Sequence, residues 1–338
     1  MSQPIDTSIF DKHSKIYVAG HRGLVGSALL RKLQGEGYER LITRTHAELD
    51  LTEQGAVREF FAEHRPEYVF LAAARVGGIL ANDSYPAEFI HQNLAIQTNV
   101  IHEAWRSGVK RLLFLGSSCI YPRECPQPMK EEYLLTGPLE RTNRPYAVAK
   151  IAGIEMCWAY NRQYGTRFLA AMPTNLYGPG DNFDLQNSHV LPALIRKMHE
   201  AKQAGRPTVT VWGSGEPRRE LLHSDDLADA CLFLMRLPEA EFDALLGREA
   251  RESVPPLINI GWGEDIRIKD LARLVQDVVG YEGELVFDTA MPDGTPRKLL
   301  DVSRLAALGW RARIDLRAGI ADAYRWYVEQ AGDEPGYS

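Results

Sequence analysis

Tyr146 and Lys150 are the residues whose types and spacing most directly suggest chemistry. In a helix, residues four positions apart lie on one face, so the two side chains would meet. An ammonium beside a phenol favours the phenolate and would lower a tyrosine pKa that is normally about 10. Ser117, which follows a short apolar run, could hydrogen-bond the same substrate oxygen. These residues predict proton transfer at a substrate oxygen, next to a hydride donor.

A glycine-rich turn near the N-terminus has the pattern of a phosphate-binding loop. It lies between a buried-strand run at 15–19 and a segment with helical spacing at 27–33. In this context, glycines let the backbone approach a pyrophosphate, and the helix N-terminus faces the anion. An ordinary strand-to-helix turn is the alternative. We expect a dinucleotide to contact Gly20, His21, Arg22, Gly23, Leu24, Val25 and Gly26.

The end of the second predicted strand favours NADP over NAD. An NAD site usually has an acidic residue here for the ribose hydroxyls, whereas this chain has Arg44 and His46. With Arg22 they offer cationic partners for a 2′-phosphate. A solvated surface charge is the alternative for Arg44. Asp50 and Leu51 could hold the adenine edge.

Strands and helices alternate through the first half of the chain, which predicts an α/β fold with a doubly wound parallel sheet. Ligands of such sheets bind beyond the C-terminal ends of the strands. The ends of two later strands therefore supply further cofactor residues: Leu115, Gly116, Ser117 and Ser118, then Pro173, Thr174, Asn175 and Leu176.

The pattern changes after Gly180, where a smaller C-terminal α+β lobe is expected to bind the substrate. We predict an NADP-binding Rossmann domain at 1–178 and a substrate-binding lobe at 179–338. The region 225–262 is expected to return in part to the first sheet, because Leu257–Ile260 is another buried-strand run.

Composition excludes several classes of protein. The chain has 338 residues, a net charge of −6 and a pI near 5.9, which argues against a general nucleic-acid binder. No apolar run reaches the roughly 18 residues of a membrane span. The polar N-terminal segment lacks a signal-peptide pattern. The four cysteines form no Cys-x-x-Cys pair, so we expect a reduced, cytoplasmic protein without a metal site.

Together these motifs resemble the extended short-chain dehydrogenase/reductases that act on nucleotide sugars. Six segments are similar to those of the GDP-L-fucose synthases, and the similarity covers about 15–329. They are Gly20-His-Arg-Gly-Leu-Val-Gly26, Ala72-Ala-Ala-Arg-Val-Gly-Gly78, Gly116-Ser-Ser-Cys-Ile-Tyr-Pro122, Met172-Pro-Thr-Asn-Leu-Tyr-Gly178, Asn187-Ser-His189 and Pro292-Asp-Gly-Thr-Pro-Arg-Lys298.

The resemblance implies two reactions on GDP-4-keto-6-deoxy-D-mannose: proton exchange at C3 and C5, then hydride delivery from NADPH to C4. It assigns the epimerisation protons to Cys119 and His189, and the C4 oxygen to Ser117 and Tyr146. Lys150 would also touch the nicotinamide ribose, and His189 would lie beside the cofactor. The resemblance further implies a homodimer formed by helices at 87–106 and 146–164. One departure is His46, where the family often has arginine.

The proposed chemistry also has a rationale in the residues themselves. Epimerisation beside a ketone needs an acid and a base with pKa values near neutral, and cysteine at about 8.5 and histidine at about 6.5 bracket that range. Ser117 and Tyr146 would stabilise the charge that develops on the carbonyl oxygen. The alternatives are a buried apolar role for Cys119 and a helix cap for His189.

Five further residues are candidates for the GDP-sugar. Clustered cations would suit a diphosphate, although each could be a solvated charge. A tryptophan could stack on guanine or lie in the core, and an aspartate could hold a sugar hydroxyl or start a turn. These candidates are Lys197, Trp212, Arg219, Asp293 and Lys298.

Two other functions stay open. An NAD-retaining nucleotide-sugar 4-epimerase or 4,6-dehydratase would keep its cofactor without consuming it. A dehydratase of this fold has acidic residues after its serine or threonine, whereas Ser118 and Cys119 stand there. A non-catalytic NADP-binding regulator would bind NADPH tightly without turnover.

Overall fold

A six-stranded parallel sheet forms the core of the first lobe. The computed structural model describes residues 10–185, 188–247, 255–291 and 293–333. Its strands are β1 (Ile16–Ala19), β2 (Leu41–Ile42), β3 (Tyr68–Leu71), β4 (Arg111–Leu115), β5 (Phe168–Pro173) and β9 (Leu257–Ile260). They lie in the order β2-β1-β3-β4-β5-β9, with every pairing parallel.

Helices cover both faces of this sheet, because its central strands are apolar on both sides. Along β4, Leu113 and Leu115 pack in one cluster and Leu112 and Phe114 in the other. The first cluster includes residues of helices α1 (Leu24–Gly35) and α7 (Ser224–Met235). The second includes residues of α2 (Gln54–His64), α4 (Pro86–Arg106) and α5 (Arg144–Tyr164). This is the doubly wound α/β fold that the sequence predicts.

The second lobe has its own core around smaller sheets. Strand β8 (Arg218–His223) pairs with β6 (Asn175–Tyr177), β10 (Asp265–Arg267) and β12 (Arg297–Lys298). Strands β7 (Thr208–Trp212) and β11 (Glu284–Asp288) form a parallel pair. The remaining helices are α3 (Ile79–Ser84), α6 (Val190–Gln203), α8 (Glu239–Asp243), α9 (Ile268–Val279), α10 (Ser303–Ala307) and α11 (Leu316–Asp333).

Element ends differ slightly from the sequence expectation. Helix α5 begins at Arg144, two residues before Tyr146, and has a proline in its first turn, where the missing N–H is unneeded. Helix α6 begins at Val190, which leaves His189 at its N-cap position. None of the helices in the described ranges combines the length and the apolar character that a bilayer crossing requires.

Candidate active site

A short turn at the C-terminal end of β4 carries Ser117 and Cys119. Gly116 leaves β4, and a Cβ on it would lie 1.8 Å from the Met172 Cε, so a larger residue would push the end of the Met172 side chain aside. Ser117 precedes a 3₁₀ turn, Ser118–Ile120, and its hydroxyl accepts a 3.5 Å hydrogen bond from the Cys119 amide. The sheet edge therefore delivers the serine and the cysteine to one point.

Helix α5 brings Tyr146 and Lys150 to the same point. The Ser117 hydroxyl hydrogen-bonds both the Tyr146 phenol and the Cys119 thiol. The Lys150 ammonium donates to the Leu115 carbonyl at 2.8 Å and lies 5.8 Å from the centre of the Tyr146 ring. Four residues predicted from separate motifs thus form one cluster in the structure.

The expectation that Lys150 lowers the Tyr146 pKa is wrong. Burial raises the pKa of Tyr146 well above its ordinary value of 10, charge on Cys119 acts in the same direction, and the Ser117 hydrogen bond opposes them. Burial also lowers the pKa of Lys150 from 10.5 to about 8. Sequence spacing predicts the proximity of the pair, but not the loss of solvation that both groups suffer. The phenol is therefore protonated at neutral pH.

Cys119 and His189 are the predicted acid and base. Burial raises the pKa of the Cys119 thiol, while the Ser117 hydrogen bond and the charges of Lys298 and Lys150 lower it. His189 caps no amide of α6 with its side chain, so the structure does not support a capping role. His189 is exposed to solvent, but the protein around it removes part of the hydration of its ring. This desolvation and the charge of Lys298 lower the pKa of His189. One ammonium therefore acts on both residues.

Lys298 and Arg219 lie side by side because β12 and β8 pair in register. The next register pair, Arg297 with Arg218, points the other way, and both guanidiniums bind the Asp265 carboxylate. Arg219 donates instead to the carbonyls of Arg218 and Thr295, at 2.8 and 2.6 Å. Burial lowers the pKa of both Lys298 and Arg219. Lys298, which lines one cavity with Cys119, thus has Arg219 as its neighbour across the strand pair.

Lys197 and Trp212 form a second part of the candidate substrate site. The Lys197 ammonium lies 4.9 Å from the centre of the Trp212 ring, and the indole is 60% exposed, so it is not a core residue. Asp293 accepts from the Ser214 amide at 2.9 Å and from its hydroxyl at 2.6 Å. Its carboxylate therefore holds a turn beside Trp212, and it also interacts with the charge of Arg219.

The N-terminal glycine turn is built for close backbone approach. Gly20 has a φ of +83°, and a Cβ on Gly26 would lie 2.0 Å from the Gly20 carbonyl oxygen. Helix α1 begins at Leu24 with no acidic residue in its first turn. The His21 Nδ1 is buried without a hydrogen-bond partner among the described residues. These features fit a pyrophosphate at the helix N-terminus.

Arg44 is held in place at the end of β2 rather than solvated. Its guanidinium donates to the Thr43 carbonyl at 2.8 Å, lies 2.8 Å from the His64 Nε2 and stacks 5.7 Å from the centre of the Phe60 ring. The side chain of His46 is 83% exposed and lies 3.8 Å from Asp50. Arg44 is thus the better-organised cation for a 2′-phosphate.

Glu48 is a residue of this site that sequence reasoning missed. It accepts from the Thr45 amide and hydroxyl, at 2.7 and 2.9 Å, and the charges of Arg44 and Arg22 act on it. Thr45 precedes Glu48 by three residues, a spacing typical of a local turn closed by side-chain-to-backbone hydrogen bonds. This spacing could have revealed the position of Glu48. An acidic group therefore lies near the arginines after all.

The other predicted cofactor residues occupy varied surroundings. The Asp50 carboxylate accepts from the Thr52 amide and hydroxyl, and Leu51 is buried. Thr174 and Asn175 bond the Glu220 carbonyl, at 3.3 and 2.9 Å. Two residues of the family-like segments, Asn187 and Pro292, lie outside the described ranges.

Comparisons with known proteins identify relatives of this chain. Residues 16–245 match the NAD dependent epimerase/dehydratase family. The chain is 58% identical to the putative GDP-L-fucose synthase 2 of Arabidopsis thaliana, over 95% of this chain and 94% of that protein. It is 53% identical to the GDP-L-fucose synthase of Escherichia coli K12, over 93% and 97%.

A solved structure adds a bound cofactor to the comparison. A GDP-mannoheptose C4 reductase from Campylobacter jejuni with NADP bound is 42% identical, over 94% of this chain and 99% of that one, with a TM-score of 0.84. The family resemblance predicted from the motifs is thereby confirmed. The chain belongs to the NAD dependent epimerase/dehydratase family and, within it, to the GDP-L-fucose synthases.

Proposed function

We propose that the protein makes GDP-L-fucose from GDP-4-keto-6-deoxy-D-mannose, by C3 and C5 epimerisation followed by NADPH-dependent reduction at C4. The family membership supports the overall reaction. The observation that carries the residue roles is the single cluster of Ser117, Cys119, Tyr146 and Lys150, which shares Lys298 with His189. A reductase alone would need only part of this set.

The residues around the glycine turn suit NADPH, which supplies the hydride for C4. The turn 20–26 and the N-terminus of α1 would hold the pyrophosphate, and Arg44 would hold the 2′-phosphate. Lys150, at a buried position below the same cleft, would bind the nicotinamide ribose. Glu48 would weaken the preference for NADPH over NADH, because its carboxylate could accept hydrogen bonds from the ribose hydroxyls of NADH.

Epimerisation requires that a carbon-bound proton leave one face of the sugar and return to the other. We assign these transfers to Cys119 and His189, since the charge of Lys298 acts on both and the His189 side chain is not used to cap α6. Burial and the charge of Lys298 lower the pKa of His189 and favour a neutral imidazole, which can accept a proton, whereas burial raises the pKa of the Cys119 thiol, which can donate one. At each carbon, one of the two groups would take the proton from one face of the sugar and the other would deliver a proton to the opposite face.

Tyr146 and Ser117 would bind the C4 oxygen in both reactions. While a proton is removed at C3 or C5, negative charge passes to that oxygen, and two hydroxyl donors stabilise it. During reduction, the same phenol gives its proton to the C4 oxygen. Lys150, with a pKa of about 8, can resupply that proton near neutral pH.

The GDP portion would lie along the second lobe. Arg219 and Lys298 do not share the Asp265 carboxylate that pairs with Arg218 and Arg297, which suits a negatively charged ligand. The exposed Trp212 ring beside Lys197 would stack on the guanine. Asp293 would order the Ser214 turn there.

Three further features remain part of the proposal. The domain division is 1–178 and 179–338, with 225–262 returning to the first sheet, where β9 pairs with β5. The protein would act as a homodimer through α4 and α5, two helices that are neighbours within one chain. It would work in the cytoplasm, in keeping with four free cysteines.

The deciding experiment is a reaction with NADPH and GDP-4-keto-6-deoxy-D-mannose in deuterated water, followed by NMR of the product. The wild-type protein should yield GDP-L-fucose with deuterium at C3 and C5. Cys119→Ser should lose exchange by about 100-fold or more, the usual share of a positioned acid or base. Cys125→Ser is the matched control, since it makes the same chemical change at a partly buried cysteine without an assigned role.

Tyr146→Phe separates the second reaction. This variant should bind the GDP-sugar but not oxidise NADPH. Undiminished NADPH oxidation would contradict the role of the phenol. If the wild type reduced the sugar without incorporating deuterium at C3 or C5, the protein would be a C4 reductase without epimerase activity. Tight NADPH binding without any turnover would favour a non-catalytic regulator.

A further inference from the structure

The turn that carries Cys119 has few hydrogen bonds of its own. The Ile120 amide donates to the Ser117 carbonyl at 3.2 Å, the Tyr121 amide to the Ser118 carbonyl at 3.4 Å, and the Cys119 amide reaches the Ser117 hydroxyl at 3.5 Å. Hydrogen bonds of this kind are normally 2.7–3.2 Å long, so the first lies at the upper limit and the other two are longer. The position of the Cys119 thiol therefore also depends on contacts made outside the turn.

Tyr121 makes the strongest of these contacts. It follows Cys119 by two residues, is 3% exposed, and donates from its hydroxyl to the Asn259 Oδ1 at 2.6 Å. Burial raises the pKa of Tyr121 well above its ordinary value, so the phenol stays a donor throughout the working pH range. The turn is thus tied to β9, an edge strand of the rigid parallel sheet.

Asn259 uses its whole side chain as a junction. It is fully buried, and its Nδ2 donates to the Met129 carbonyl at 2.9 Å and to the Asp301 carbonyl at 3.1 Å. Its backbone amide donates to the Glu131 Oε1 at 3.1 Å. Such a saturated buried network specifies one arrangement, because any broken bond leaves a polar group without water.

The other end of this junction leads to Lys298. Asp301 follows Lys298 by three residues. Two hydrogen bonds to Met129 fix the chain around Asp301: the Met129 amide donates to the Leu299 carbonyl at 2.7 Å, and the Met129 carbonyl accepts from the Asp301 amide at 2.8 Å. Asn259 therefore connects the Cys119 turn to the strand that bears Lys298. Cys119 and Lys298 line the same cavity.

We propose that Tyr121 and Asn259 form a positioning pair, which sets the Cys119 thiol against the Lys298 ammonium and thereby controls proton exchange at C3 and C5. The pair acts through Cys119 rather than on the reacting atoms. The inference rests on the proposed function for its catalytic consequence. The placement of the thiol itself can be measured without any substrate.

A merely structural role would give a different result, and the chain offers a control for it. Tyr68 is also a fully buried tyrosine of the sheet region, but its hydroxyl has no hydrogen-bond partner among the described residues. Tyr121→Phe and Tyr68→Phe remove the same atom from buried rings. Only the first breaks a link to the Cys119 turn.

The substrate-free test is the rate of alkylation of Cys119 by iodoacetamide as a function of pH, followed by mass spectrometry. Thiolates react and thiols do not, so the profile reports the surroundings of the sulfur. Tyr121→Phe should change the rate by about threefold or more and shift the midpoint, because the thiol moves relative to Lys298. Tyr68→Phe should match the wild type.

The catalytic test compares the two halves of the reaction in the same variants. Solvent deuterium exchange at C3 and C5 reports epimerisation, and transfer of deuterium from GDP-L-fucose labelled at C4 to NADP reports the hydride half. Tyr121→Phe should lower the first by about tenfold, as a lost buried hydrogen bond implies, and leave the second within about twofold. Asn259→Asp keeps the oxygen that accepts from Tyr121 but loses both amide donor hydrogen bonds. It should therefore show the same unequal effect on the two half-reactions as Tyr121→Phe.

Three results would overturn the positioning role. They are an alkylation profile unchanged in both variants, an equal loss of the two half-reactions, and an effect of Tyr68→Phe as large as that of Tyr121→Phe. A wild-type protein without exchange at C3 or C5 would instead refute the proposed function. The alkylation profile would then still decide the positioning role by itself.

Discussion

The buried Lys150 should make the stability of the free protein depend on pH in a defined window. The side chain is 3% exposed, and burial lowers its pKa from 10.5 to about 8. Below pH 8 the lysine is protonated in both folded and unfolded chains. Between about pH 8 and 10.5 only the unfolded chain binds the proton, so the free energy of unfolding rises with pH there.

The size of the effect follows from the shift. A fall from 10.5 to about 8 corresponds to a cost of about 3 kcal/mol at pH 7, at 1.36 kcal/mol per pKa unit. Lys150→Met removes that cost but leaves the Leu115 carbonyl without its 2.8 Å hydrogen bond, worth about 1–3 kcal/mol when buried. The variant should thus be as stable as the wild type at pH 7, or up to about 2 kcal/mol more stable.

Urea unfolding of both proteins from pH 7 to pH 10 provides the assay. Other titrating groups are common to both proteins, so the difference between the two curves isolates Lys150. The wild type should gain about 2–3 kcal/mol on the variant over this range. Lys130→Met, which removes an exposed lysine, should give a curve parallel to that of the wild type.

Parallel curves for the wild type and Lys150→Met would refute the reasoning, since they would mean that the ammonium is not desolvated in the fold. A curve that falls from pH 8 to pH 10 relative to the variant would contradict the sign. The same variant should lose C4 reduction. The lysine would then be retained for chemistry although it destabilises the free protein.

The cofactor site yields two further predictions. Gly26→Ala should weaken NADPH binding by at least about tenfold, because its Cβ would lie 2.0 Å from the Gly20 carbonyl oxygen and the loop must move. Gly35→Ala, whose Cβ would meet no atom within 4 Å, should bind normally in the same fluorescence titration. Arg44→Gln should weaken NADPH binding by about 10- to 100-fold, the value of a charge-assisted bond, and leave NADH within about twofold. An equal loss of affinity for both coenzymes would contradict the assignment of the 2′-phosphate to Arg44.

Local patterns predicted the elements that deliver the chemistry. The apolar run at Leu257–Ile260 is a strand with the expected ends, and it is buried throughout. The run is short and bounded by turn residues, and a strand buried on both faces needs no alternation. The glycine turn was readable for a similar reason, since its geometry depends on residues adjacent in sequence.

Relations between distant segments could not be read in this way. The neighbouring positions of Lys298 and Arg219 depend on the register of β12 against β8, which no pattern within either strand specifies. The bond from Tyr121 to Asn259 spans 138 residues of sequence. Glu48 was missed because an acidic residue was expected directly at the strand end, whereas a turn of three residues returns its carboxylate to the arginines.

The Tyr146 pKa is the most informative error, because it changes the role of the phenol. A tyrosinate beside the C4 oxygen would repel the negative charge that forms there in epimerisation and again in reduction. A phenol kept protonated by burial can donate a hydrogen bond in the first reaction and its proton in the second. The lowered pKa belongs instead to Lys150, which at about 8 can return the lost proton. Burial thus divides the work between the two residues: the tyrosine holds the proton at the substrate, and the lysine replaces it.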